Sequence, residues 1–331
     1  MYYLSKNTYT PNKDFIRSIF MCTAISYKNK YAYFGRNLDI ERGYNEKVVI
    51  TPRNYEFKMR FEPSVKSHYA MIGMALVIDN IPLYFEATNE KGLSIAALNF
   101  PQNAVYHNLS NEKYNIAPFE LIPCILAGCA NIREAKELLY KLNLVKINFN
   151  EQLTLTPLHW MISDKNCSIT VESLKDGLKI YDNPFEVLTN NPPFDFHRIN
   201  MSNYCALSTG ALKSCFREDL PMSNYSLGMG ALGLPGDYSS VSRFIRAFFV
   251  KENAVCNSDE SSCVNQFFHI LGAVEMPKGC VLSDNGYEYT HYSSCCNTDK
   301  GIYYYKTYND FQIKRISMQD FDLDGKELNI Q

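Results

Sequence analysis

Cys22 directly follows Met21, and Arg36, Asn37 and Asp39 gather shortly after it in the run MCTAISYKNKYAYFGRNLDI, residues 21–40. If processing leaves Cys22 as the first residue, its thiol and its own α-amino group sit on one residue. A free α-amino group has a pKa of about 7.7–8.0 and a cysteine about 8.5. Both titrate near neutral pH, so the amine can take up the thiol proton without a histidine, as in an N-terminal nucleophile. Arg36 would bring positive charge that favours the thiolate. Asp39 can accept hydrogen bonds from the amine and hold it. On a strand, residues 36 and 39 point to opposite faces, so a bend or bulge near Asn37 and Leu38 is required for both to meet Cys22. Taken singly, such a cysteine reads as a small buried hydrophobe, and Arg36 with Asp39 as an ordinary salt bridge.

A framework must hold these groups, and strand-like runs supply it. YAYFGRNLDI (31–40) is followed by YAMIGMALVI (69–78) and GLSIAALNF (92–100). LHWMISD, SITVES and LKIYD fall within 158–182, and GIYYYKTY and FQIKRISM within 301–318. Their lengths and their β-branched and aromatic content predict strands. Helices are predicted in APFELIPCILAGCA (117–130), NIREAKELLYKLN (131–143) and SSVSRFIRAFFVKE (239–252). In the second, Ile132, Ala135, Leu138, Leu139 and Leu142 recur at helical spacing behind Asn131 as N-cap. Strands in blocks and helices in blocks predict an α+β layered fold rather than βαβ alternation. With 331 residues, 46% apolar, and no recognisable linker, the expectation is one domain over 22–331 behind an extension or leader at 1–21.

Charge and composition exclude other classes. Lys+Arg 33 against Asp+Glu 35 leaves no basic stripe for nucleic acid and no polybasic tail for a membrane surface. No window of about 18 apolar residues predicts a membrane span, and the start lacks a signal peptide's apolar stretch. Eleven scattered cysteines, an odd number, read as reduced thiols of a cytoplasmic protein. GMGALG (228–233) matches a dinucleotide fingerprint in form, but Pro235 and Gly236 break any helix starting there. DFDLDG (320–325) starts like a calcium loop, yet its twelfth position is Gln331 instead of Glu. His159 reads as a packed strand residue. No metal and no cofactor are expected.

At this point a resemblance becomes specific. MCTAIS…FGRNLDI, NEKGLSIAALNFP (89–101), LHWMISD, VLTNNPPFD (187–195), GLPGDYSSVSRFIR (233–246) and GIYYYKTY occur in order. Together they resemble the choloylglycine hydrolase family, which comprises conjugated bile salt hydrolases and penicillin V acylases. The resemblance implies an Ntn-hydrolase fold, a four-layer αββα sandwich of two antiparallel sheets between helix layers. It implies metal-free hydrolysis of a linear amide, with Cys22 as nucleophile and Arg36 and Asp39 supporting it. It further implies Asn99 in the oxyanion hole, Asn190 holding the amino terminus and substrate, and Arg243 completing the charged cluster.

Asn99 within LNFP resembles the bile salt branch, since the penicillin V branch more often has Tyr there. The residues matching its steroid pocket are Leu38, Ile78, Phe85, Phe149, Leu153 and Leu158, all apolar and suited to a rigid hydrophobic acyl group. By the same resemblance, segment 200–226 is the hairpin that builds a homotetramer. The family's nucleophile normally follows an initiator methionine or a short leader, whereas twenty residues precede Met21 here. The expectation is an upstream in-frame start with Met21 as the true initiator; autocleavage of a 21-residue leader is the alternative. Competing functions are a penicillin V acylase or other N-acyl amide hydrolase, and a catalytically inactive relative acting as a binding protein.

Overall fold

A computed structural model describes residues 21–212, 217, 219 and 222–331. The expected extension or leader at 1–21 thus lies outside the described residues, apart from Met21 itself. Two antiparallel sheets form the centre of the molecule. In chain order the first strands are β1 (Met21–Lys28), β2 (Ala32–Ile40), β3 (Lys47–Thr51), β4 (Met71–Ile78), β5 (Ile81–Asn89) and β6 (Ser94–Asn99). The first sheet runs Val187–Leu188, β1, β2, Gly286–Asn297, Ile302–Thr307, Asp310–Ser317, with Val281–Ser283 also paired to Gly286–Asn297. The second runs Gly177–Asp182, Ser168–Leu174, Leu158–Ser163, β6, β5, β4, β3, Asn329–Ile330.

The helices are α1 (Leu121–Gly128), α2 (Ile132–Leu139), α3 (Phe194–Asn200), α4 (Ser240–Glu252) and α5 (Glu260–Gly272). α4 and α5 pack on the first sheet and α1 on the second. One buried cluster joins Phe34 and Cys296 of the first sheet, Leu98 and Met161 of the second, and Phe244, Phe267 and Leu271 of α4 and α5. Ile125, Ile132 and Leu139 of α1 and α2 form a second cluster with Trp160 and Ile162 on the far face of the second sheet. The layers are therefore α, β, β, α, as the resemblance implied. Every residue of β2 is buried, which is why its sequence shows no apolar–polar alternation: both faces are covered.

Local signals place several ends. Asn131 Oδ1 accepts from the Glu134 N–H at 3.1 Å and the Glu134 carboxylate accepts from the Ala130 N–H at 2.8 Å, starting α2. α2 ends at Leu139, so Leu142, expected in the helix, instead opens the strand Leu142–Leu144. The helix expected over 117–130 begins as a 3₁₀ turn at Pro118–Glu120 and is α-helical only over Leu121–Gly128. GMGALG forms a loop with one 3₁₀ turn at Met229–Ala231 between Gly228 and Gly233, whose φ values are 81° and 94°. Among the described residues, no helix is long and apolar enough to cross a membrane.

Candidate active site

Register fixes which groups share a face. Cys22 stands opposite Leu38, and Thr23 opposite Asn37. Cys22, Leu38 and Arg36 therefore face the second sheet, while Asn37 and Asp39 face α4 and α5. Hydrogen bonds agree: an Arg36 guanidinium nitrogen donates to the Phe85 carbonyl at 3.1 Å and the Ala97 carbonyl at 2.5 Å. On the other face, Asn37 Nδ2 donates to the Leu271 carbonyl at 3.0 Å.

The bend expected near Asn37 and Leu38 is absent, because β2 runs unbroken through them. The irregularity lies in the neighbouring strand, where Thr290 opposes Asp39 but Tyr292 opposes Leu38. Arg36 and Asp39 still serve one residue because they approach different parts of it. Arg36 lies on the side of the thiol, and Asp39 on the side from which the Cys22 backbone is gripped.

That grip comes from two other elements. Asn190 Oδ1 accepts from the Cys22 N–H at 2.8 Å and from Arg243 at 2.8 Å. Its Nδ2 donates to the Asn99 carbonyl at 2.8 Å. Arg243 is fully buried on α4, not on a helix surface. It donates to the Cys22 carbonyl at 2.5 Å and to Thr23 Oγ1 at 2.6 Å. Asn99 closes β6, and its backbone N–H reaches the Cys22 sulfur. The six residues Cys22, Arg36, Asp39, Asn99, Asn190 and Arg243 are thus brought together.

Electrostatics around the thiol oppose one another. Burial pushes the Cys22 thiol up, against Arg36 first and then Arg243, which pull it down. The lowering expected from Arg36 is present, but with Met21 still attached burial outweighs it. Burial also lifts Asp39 to about 6, opposed chiefly by Arg243. Asp39 Oδ1 accepts from Thr290 Oγ1 at 2.5 Å, whereas Oδ2 is buried with no hydrogen-bond partner among the described residues.

A cavity of about 560 Å³ opens beside the thiol. Leu38, Phe85, Phe149, Leu153 and Leu158 line it together with Cys22 and Asn99. Ile78 does not line it. It ends β4 opposite Ile81 in the tight β4–β5 hairpin of the second sheet, whereas the thiol sits on β1 of the first. Phe149 packs edge-on against Phe119 at 5.2 Å between ring centres, under the Arg60 guanidinium. His159 is fully buried, stacks on Phe100 at 4.3 Å and contacts the Thr189 carbonyl, so it braces the segment that carries Asn190.

Three further residues had no motif to reveal them. Glu86 on β5 is buried beneath Arg36, Thr290 holds Asp39, and Glu288 lies near Asp39. Glu86 accepts from Tyr292 at 2.7 Å, Tyr303 at 2.5 Å and Ser294 at 3.0 Å, with Arg36 Nε 3.9 Å away. Only the opposed strands of two sheets bring these residues to one place.

A family model described as "Linear amide C-N hydrolases, choloylglycine hydrolase family" matches residues 22–331. A "Bile salt hydrolase/transferase" of Lactiplantibacillus plantarum is 53% identical over 309 residues, covering 93% of this chain and 95% of the relative. One of the same description from Clostridium perfringens is 38% identical, with 93% and 95% covered. The crystal structure of a variant of the conjugated bile acid hydrolase from Clostridium perfringens superposes with a TM-score of 0.87 at 36% identity, covering 94% of this chain and 96% of that one. A penicillin V acylase from Agrobacterium tumefaciens shares the fold, with a TM-score of 0.72 at 18% identity over 94% of this chain and 90% of that one. The sandwich is thus an Ntn-hydrolase fold, and the chain belongs to the choloylglycine hydrolase family of linear amide C–N hydrolases.

Proposed function

We propose that the chain hydrolyses the amide of glycine- or taurine-conjugated bile acids, with Cys22 as an N-terminal nucleophile. The observation that carries this reading is the position of Cys22. Its sulfur faces an apolar cavity while its backbone nitrogen is held by Asn190; Met21, next to it along β1, stands opposite Asp39. A cavity of about 560 Å³ falls within the roughly 300–1,000 Å³ of sites that enclose a compact apolar ligand. The relatives described as bile salt or conjugated bile acid hydrolases support the same substrate class.

The cycle is acyl transfer. The Cys22 amine takes the thiol proton, and the sulfur bonds to the amide carbonyl carbon. The Asn99 side-chain amide donates to the oxyanion, a contribution of roughly 10²–10³ in rate for a donor of this kind. The amine then passes its proton to the departing nitrogen, and the C–N bond breaks to release glycine or taurine. Water, deprotonated by the same amine, attacks the thioester carbonyl, and the C–S bond breaks to free the bile acid and restore the thiol. None of this is available while Cys22 N is a peptide nitrogen, so the mature enzyme begins at Cys22, with Met21 removed.

The test is amine release from glycocholate, taurocholate and penicillin V, with the mass of the amino terminus measured on the same sample. Glycine or taurine release from protein starting at Cys22 is expected. Release from penicillin V alone would transfer the enzyme to the acylase reading. Full activity with Met21 retained would overturn the mechanism. Phe149→Ala, by removing an apolar wall, should raise KM for glycocholate about tenfold or more with kcat little changed; steady-state kinetics checks this.

The proposal includes a cytoplasmic homotetramer. Its expected hairpin at 200–226 includes residues 213–216, 218, 220 and 221, which lie outside the described residues. Within its described part Tyr225 is 83% exposed, and Leu227 just beyond it is 100% exposed, which favours burial of this region by another copy. Light scattering on the purified protein should return the mass of four chains. The ten cysteines among the described residues are all free, in keeping with a reducing compartment.

A further inference from the structure

Among the described residues, two buried carboxylate oxygens near Met21 have no hydrogen-bond partner: Asp39 Oδ2 and Glu288 Oε2. A buried acceptor left bare is costly and calls for a physical account. Glu288 is 1% exposed, on the strand Gly286–Asn297. It lies two residues before Thr290, which opposes Asp39, so Glu288, Thr290 and Asp39 share one face of the sheet. Met21 stands opposite Asp39 on the other side, and its backbone N–H reaches the Glu288 carboxylate. The two bare oxygens therefore flank Met21, the residue joined directly to Cys22, which the proposed function requires to be removed.

Acidic groups crowd this place while Met21 remains. Glu288 faces Asp39 from β2, Glu41 just after that strand, and Arg243 from α4. From β1 the Met21 backbone N–H reaches it, and Glu41 is itself held by the Ser283 hydroxyl at 2.7 Å. Burial first, then Glu41 and Asp39, push Glu288 up to about 8, with Arg243 pulling the other way. Among the described residues the Arg243 guanidinium faces these carboxylates, and the α-ammonium of a mature Cys22 would add a further cation, with three protons to donate. Asn190 Oδ1 is already 2.8 Å from the nitrogen and takes one; the two bare oxygens offer acceptors for the others.

We propose that Glu288 is a positioning residue for the Cys22 amine, forming with Asp39 a two-carboxylate socket that receives the ammonium once Met21 is gone. Asp39 meets the amine directly, and Glu288 meets it directly or through one water standing where the Met21 N–H stood. This rests on the N-terminal-nucleophile reading and adds to it. An anion beside the amine makes it a stronger base, so Glu288 helps set the pH at which the amine can take the thiol proton.

The experiment uses protein whose amino terminus is shown by mass to be Cys22, as unsubstituted, Glu288→Gln and Glu288→Asp forms. Two profiles are recorded against pH: kcat/KM for glycocholate, and the rate at which iodoacetamide alkylates Cys22. Glu288→Gln removes the charge and keeps the shape. Its acid limb should move to lower pH by about half a unit or more in both profiles. KM should stay unchanged, since Glu288 does not line the cavity. Glu288→Asp should return the limb most of the way, and provides the readout if the glutamine form does not fold. Coincident acid limbs for all three forms would overturn the proposal. Failure of the underlying reading looks different: the unsubstituted protein, starting at Cys22, would then hydrolyse none of the conjugates, while the alkylation profile would still report on Glu288.

Discussion

Replacing Cys22 by Ala should abolish amide hydrolysis, by about 10⁴-fold or more, while leaving thermal unfolding nearly where it was. The substitution removes one buried sulfur atom and leaves the backbone contacts of Cys22 with Asn190 and Arg243 in place. The large effect follows from what surrounds the sulfur. Cys295 and Cys296 are also buried in the same sheet, but burial and neighbouring acidic groups or thiols push both up. At Cys22 the guanidiniums of Arg36 and Arg243 oppose the burial, and an α-ammonium would add a third positive charge. The measurement is release of glycine or taurine over hours at high enzyme concentration, with calorimetry on the same samples. Residual activity within tenfold of the parent would mean that another group attacks the amide. Unaltered bile acid binding, with no hydrolysis by either form, would make the chain a binding protein.

How much of this could be read in advance depends on where the information resides. The residues proposed as the catalytic cluster lie in short motifs whose order along the chain carries a family resemblance, so they could be named. Their geometry was only half legible. The alternation of a strand correctly puts Arg36 and Asp39 on opposite faces, but the inference that β2 must bend assumed that both approach the thiol. The cysteine instead offers its sulfur to one face and its backbone nitrogen and carbonyl to the other. The strand GYEYTHYSSCCN at 286–297 was missed because it is polar yet almost entirely buried in its second half. Its Thr290, Ser293 and Ser294 are satisfied by Asp39, Asn37 and Glu86, partners about two hundred residues or more away in the chain. α5 was missed for another reason. Cys263, Val264, Phe267, Phe268, Ile270 and Leu271 recur at helical spacing behind Asp259, which caps the helix, so the signal was present in the sequence. Ile78 shows the limit of carrying pocket positions by resemblance: the strand was placed correctly, but its last residue turns into a hairpin instead of the cavity.

Glu86→Gln should cost both stability and activity, and it tests whether Arg36 is held by charge or only by carbonyls. Glu86 is 2% exposed, and burial pushes its carboxyl up against Arg36 and the hydroxyls of Tyr303, Tyr292 and Ser294. Those hydroxyls donate to it, which requires a carboxylate that accepts from all of them. The glutamine keeps one acceptor oxygen and turns an amide nitrogen, a donor, toward groups that also donate. Breaking one partner of a buried ionic cluster typically costs about 3–5 kcal/mol, and here it leaves the Arg36 guanidinium without the carboxylate beneath it. Arg36 would keep its contacts to Phe85 and Ala97, but its plane would no longer be fixed beside the sulfur. The expected result is a clear fall in the urea midpoint with an unchanged slope, and a drop in kcat of tenfold or more with little change in KM. The pH profile of Cys22 alkylation should move downward, because a cation stripped of its counter-ion favours the thiolate more strongly. An unchanged urea midpoint with unchanged kinetics would show that the two carbonyls suffice, and that Glu86 only fills space between the sheets. A downward alkylation shift together with lost turnover would separate the roles of Arg36, since a more ionised thiol would then be a poorer catalyst for want of correct placement.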